Sequence, residues 1–125
     1  MVCSLIFWAL AAMCNSVMDT ITHHYYRSIF YKPQSLNNDK WNNFWNPELS
    51  WKSAFIIPLT HYKLDAWHLF KSLMIIFQGI AIIFAWTDNP PFIESFWFNC
   101  SVLIIMGFLW NLTFNIFYNK ILIIR

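Results

Sequence analysis

Three long runs of apolar residues dominate this 125-residue chain and leave few charges to place elsewhere. Residues 2–17 carry no polar side chain except Ser4, Asn15 and Ser16. Residues 73–86 are apolar apart from Gln78 and Gly79, and the first two thirds of residues 93–118 are mostly apolar. Extended to their polar ends, the three runs predict helices over 2–26, 61–86 and 93–118. A 26-residue helix is about 39 Å long at about 1.5 Å per residue. That exceeds the roughly 30 Å hydrocarbon core of a bilayer, so each predicted helix can cross it with its polar end in the interface. Only 11% of residues are charged, too few to coat a water-soluble globule of this size. The expected fold is therefore an all-α membrane protein with three transmembrane helices forming a single domain.

The connection between the first two helices, residues 27–60, carries Pro33, Pro47, Pro58 and an Asn-rich stretch, with Trp41, Trp45 and Trp51. Tryptophan at that density predicts a segment lying in the headgroup layer, with short amphipathic helical turns. Asp88-Asn89-Pro90-Pro91 predicts a sharp turn before the third helix. Arg27, Lys32, Lys40, Lys52 and Lys63 lie on or beside the long connection, and Lys120 and Arg125 in the tail. The positive-inside rule then puts the N-terminus outside and the connection and C-terminus in the cytoplasm, as expected for a bacterial inner membrane. A cleaved secretory signal is the rival reading of residues 2–17. They lack its basic start, and Met13 before Cys14 breaks a lipoprotein cleavage pattern, so a retained helix is expected.

Polar residues recur at helical spacing. Asp19, His23 and Tyr26 follow i, i+4, i+7, as do His61, Asp65 and His68, which continue to Ser72. Asn111, Asn115 and Tyr118 repeat the pattern, with Gly107 one turn earlier. By topology these three faces lie at one membrane level. Charges at the bilayer centre cost roughly 2.5–3.5 kcal/mol each and usually face the bundle interior. The expectation is a shared polar site. His23, His61, Asp65 and His68 are its candidate metal ligands, suited to zinc, iron or manganese. Asp19 is a candidate further ligand or general base. Lys71, off the His/Asp face, would stabilise anionic charge if its long stem reaches the site.

Plainer roles stand beside these. His61 and His24 fit the headgroup layer, Lys71 can snorkel to water, Ser72 can bond its own helix, and Trp67 fits an aromatic belt. Asn111 and Asn115 are expected as interhelical hydrogen-bonding groups. Cys3, Cys14 and Cys100 show no ligand spacing and are expected as small apolar thiols. A net charge of +2 without a basic stripe argues against a nucleic-acid partner. No GxSxG, P-loop or GxGxxG string occurs.

Asp19-x-x-x-His23, Phe44-Trp45-Asn46-Pro47 with Ser50-Trp51-Lys52, and Asp65-Ala66-Trp67-His68 with Lys71 together resemble a group of small integral membrane proteins of Bacteroidetes-type bacteria and their phages. That group has no established activity. The resemblance implies only that Asp19, His23, Asp65 and His68 belong together with the Trp-Asn-Pro segment.

Three functions follow. A membrane-embedded metal-binding protein, hydrolytic toward a lipid or other interfacial substrate, leads. A non-enzymatic small membrane subunit or interaction protein is the alternative. A proton or ion relay comes last, because the outer half offers few polar residues. The expected partners are the lipid bilayer and either a second copy of the chain or a larger membrane complex.

Overall fold

The computed structural model describes residues 1–33, 39–49, 55–57, 62–88 and 96–124. Helix α1 spans Val2–His24 and ends in a single 3₁₀ turn, Tyr25–Arg27. Helix α2 is short, Asp39–Trp45. Strands β1, Phe55–Ile57, and β2, Tyr62–Leu64, form an antiparallel pair with Ile56 opposite Lys63. Helix α3 spans Ala66–Asp88 and α4 spans Phe96–Ile116, continuing as a wider π-helical turn over Phe117–Leu122. Among the described residues, three helices are long and apolar enough to cross a membrane: Val2–Arg27, Ala66–Ala85 and Phe98–Leu122.

Cross-helix contacts give the directions. Ser4 Oγ donates to the Ala81 carbonyl at 2.9 Å, while Ile21 and Ala66 share one cluster, so α3 runs antiparallel to α1. Trp8 Nε1 donates to the Met106 carbonyl at 3.0 Å, and His24 meets Tyr118 with ring centroids 5.6 Å apart, so α4 runs parallel to α1. The end of α1, the start of α3 and the end of α4 therefore share one side, as the sequence implied. The bridge Ser28–Ile123 ties that side together, with Ile29 N–H donating to Leu122 and Ile124 N–H to Arg27.

Helix α1 is the central element, packing mainly on α3 and also on α4. Its buried residues are mostly small: Ser4, Ala11, Ala12, Cys14, Ser16 and Thr20. Small side chains let helix backbones approach closely, which is how membrane helices gain packing without a hydrophobic drive between them. Ser16 and Thr20 return their hydroxyls to carbonyls of α1 itself, Met13 and Ser16, at 2.7 and 2.8 Å, so their burial leaves no hydroxyl unpaired. Helices α3 and α4 instead expose Ile75, Ile76, Ile82, Ile83, Leu103, Ile104 and Phe108, side chains suited to lipid tails.

The aromatic connection is more built-in than a headgroup-layer segment alone. Trp45 stacks on Phe30 at 4.2 Å and reaches Phe70 of α3, and Trp41 Nε1 donates to the Phe30 carbonyl at 2.8 Å. This plugs one end of the bundle. Helix α2 supplies a helical turn in the connection, and the β1–β2 pair adds extended structure that the expected helical turns did not include. Trp51 lies outside the described residues.

Candidate functional site

The polar side of the bundle carries its clearest side-chain constellation at the start of α3. Asp65 caps this helix: its Oδ1 accepts the His68 backbone N–H at 2.8 Å, and its carbonyl accepts the Leu69 N–H at 3.0 Å. Aspartate is a favoured N-cap because it satisfies amide groups that the first turn leaves unpaired. Both carboxylate oxygens also lie 2.9 Å from His68 Nδ1. Asp65 is 7% exposed, whereas the His68 side chain is 44% exposed. A carboxylate on Nδ1 makes that nitrogen the donor, so in the neutral ring Nε2 is the acceptor. The pair borders a cavity of about 150 Å³ walled by Ile21, Phe44, Trp45, Pro47 and Trp67.

Capping corrects the expected geometry. The second helix starts at Ala66 instead of residue 61, so the helical spacing that put His61 with Asp65 and His68 does not exist. His61 itself lies outside the described residues. An aspartate three residues before the first exposed polar position is a cap signal as much as a ligand signal, and the backbone resolves it as a cap.

The other candidates are spread out. Asp19 is half-buried and His23 exposed on α1, and His24 packs on the Tyr118 ring. Lys71 is exposed, with Nζ 4.7 Å from the centre of the Trp67 ring. It covers the aromatic wall of the cavity and forms no described ion pair with Asp19. Ser72 Oγ donates to the His68 carbonyl, the local bond expected of it. Among the described residues, no three His, Cys, Asp or Glu side chains come together as a metal-ligand group. Of the expected ligand set, His23, Asp65 and His68 form no such group, and His61 lies outside the described residues.

The third polar face points away from the bundle. Asn111 and Asn115 are exposed, and they bond within α4: Asn111 Nδ2 donates to the Gly107 carbonyl at 3.1 Å and Asn115 Nδ2 to the Asn111 carbonyl at 2.8 Å. Asn119 extends the ladder, its Nδ2 donating to Asn115 Oδ1 at 3.1 Å. Met106 and Trp110, which contact Trp8, set the rotation of α4. Asn111 sits about 140° round the helix from Met106 at about 100° per residue, so it turns outward. Asn119 was not among the sequence candidates, although its i+4 spacing from Asn115 was the signal for it.

A second cavity, of about 290 Å³, lies on the other side of the 42–49 segment and is lined by Tyr25, Tyr26, Tyr31, Lys32, Asn42 and Glu48 among others. No family model, curated protein or solved structure matches the chain.

Proposed function

We propose that this chain is a small, non-enzymatic membrane subunit of the bacterial inner membrane that assembles with a second copy of itself through α4. One observation carries this reading: Gly107, Asn111, Asn115 and Asn119 form an exposed stripe at i, i+4 spacing on a span, Phe98–Leu122, in which Met106 and Leu122 are the buried residues. Asn111 lies near the middle of the Phe98–Leu122 span. Lipid tails offer no hydrogen-bond partner there, and polar residues in spanning helices are characteristically satisfied by another helix. Each carboxamide spends one N–H on its own helix, and the second N–H remains for a partner. A carboxamide is both donor and acceptor, so the same stripe on a second copy complements it under two-fold symmetry. Gly107 lets the two backbones approach. The Lys and Arg residues near the aromatic side of the bundle support a cytoplasmic location for that side.

Gly107 makes the test clean, because a Cβ built there meets nothing within 4 Å. Gly107→Leu leaves the protomer fold intact and abolishes the close approach. Crosslinking in membranes is expected to trap dimers of the parent chain and few or none of Gly107→Leu or Asn111→Leu. Equal dimer yields from all three would defeat the reading.

The Asp65–His68 pair favours a second reading, in which His68 acts as a general base on water at an ester of an interfacial lipid. A divalent metal would enter it through His68, with Asp65 orienting the ring and not ligating. Lysophospholipid release from phosphatidylglycerol in proteoliposomes, lost in His68→Gln and accompanied or not by bound metal, supports this reading. No release from the parent protein removes it.

A further inference from the structure

The connection after α1 builds a cavity that the assembly reading does not use. Tyr25, Tyr26 and Tyr31 meet there pairwise, with ring centroids 5.4, 5.8 and 5.5 Å apart and planes at 70°, 89° and 66°. Three ring planes close to perpendicular form the corner of a box. Interfacial tyrosines in a simple belt anchor singly against lipid. These three turn toward one another and border a cavity of about 290 Å³ that also holds Lys32, Asn42, Asn46 and Glu48.

The supporting groups are fixed. Asn42 and Asn46 are buried, and Asn42 Oδ1 accepts the Tyr25 hydroxyl at 3.4 Å. Asn46 Oδ1 accepts the Glu48 backbone N–H at 2.9 Å, and the Glu48 carboxylate lies within electrostatic reach of the Tyr26 hydroxyl. Lys32 lines the cavity, and its Nζ sits 3.9 Å from the centre of the neighbouring Trp41 ring. One cavity thus offers aromatic faces and a carboxylate for a cation, and an ammonium for an anion.

The geometry points to a binding site for a zwitterionic lipid headgroup, its alkylammonium against the three tyrosines and Glu48 and its phosphodiester against Lys32. Tyrosine faces attract cations through the ring quadrupole, and cages of such rings recognise quaternary ammonium groups. The lipid source follows from position: Tyr25 and Tyr26 stand at the end of the Val2–Arg27 span, at the level of headgroups. The site is separate from the α4 stripe and from Asp65–His68, so it stands or falls without them.

The test equilibrates the detergent-purified full chain with equal amounts of dioleoyl phosphatidylcholine, phosphatidylethanolamine and phosphatidylglycerol and measures retained lipid by native mass spectrometry. Retention of the two zwitterionic lipids over phosphatidylglycerol is expected. Tyr31 is 41% exposed and Tyr26 55%, so both tolerate substitution. Tyr31→Leu is expected to lower zwitterionic retention roughly fivefold, the scale of one partly desolvated cation–π contact, while Tyr31→Phe keeps it. Glu48→Gln lowers it as well, whereas Gly107→Leu and His68→Gln leave it unchanged. Equal retention of phosphatidylglycerol, or Tyr31→Leu behaving as the parent, would overturn the assignment. Glycerophosphocholine displacing the lipid at matched concentration would overturn the lipid source.

Discussion

Asp65 shows how much one side chain can hold at once. Its carboxylate caps α3 and grips His68 Nδ1, and asparagine can do the first of these but not the second with the same charge. Asp65→Asn is therefore expected to leave the thermal unfolding of the detergent-solubilised protein nearly unchanged. Asp65→Ala removes the cap too and should cost about 1 kcal/mol or somewhat more. Equal losses in the two variants would mean that the charge, and not the cap, holds this corner. At this scale the sequence was partly legible. Asp65 and His68 do meet, as their i, i+3 spacing allows, but a string of letters does not say whether an aspartate starts a helix or continues one. That choice starts α3 at Ala66, five residues after the expected start. Lys71 was legible as a group that can snorkel to water, and it is exposed; His23, expected as a metal ligand, is exposed on α1.

At the scale of elements, α1 and α4 solve the same problem in opposite ways. Helix α1 buries its small and hydroxyl residues against α3 and α4 and closes their hydrogen bonds internally. Helix α4 carries its carboxamides on the outside. Interhelical hydrogen bonds in a membrane average about 0.6 kcal/mol each, so a dimer held by the Asn stripe needs several of them together with close packing at Gly107. Single Asn115→Leu is accordingly expected to weaken crosslinked dimer only in part. The double change with Gly107→Leu should abolish it. The i+4 repeat was visible in the sequence, whereas its outward direction was not. Rotation about the helix axis is set by what packs on the other face, and Trp8 against Met106 and Trp110 makes that choice.

At the scale of the whole molecule, the three spans gather their aromatic and polar ends on one side, closed by Trp45, Phe30, Phe44 and Phe70. Basic residues on that side predict that it faces the cytoplasm. Cys3 is exposed at the opposite end and serves as a reporter. In intact cells, a membrane-impermeant maleimide is expected to label a form retaining only Cys3. A cysteine-free form carrying Glu48→Cys should label only after permeabilisation. The reverse pattern would invert the topology.

The sequence by itself determined the three candidate spans, their alternation and the shared side of His23, His24 and His68 with Trp41, Trp45 and Trp67. Hydrophobic length and connection length are one-dimensional quantities, and the bilayer converts them directly into topology. Only the tertiary structure decided what those residues do once there. Helix rotation and helix starts depend on contacts between segments far apart in the chain. Among the described residues these contacts set His24 against Tyr118, left Asp65 paired with His68 at the start of α3, and turned the Asn stripe outward. They also folded the tyrosines that follow α1 into the wall of a cavity. The expected single polar centre thereby became three distinct surfaces on one small bundle.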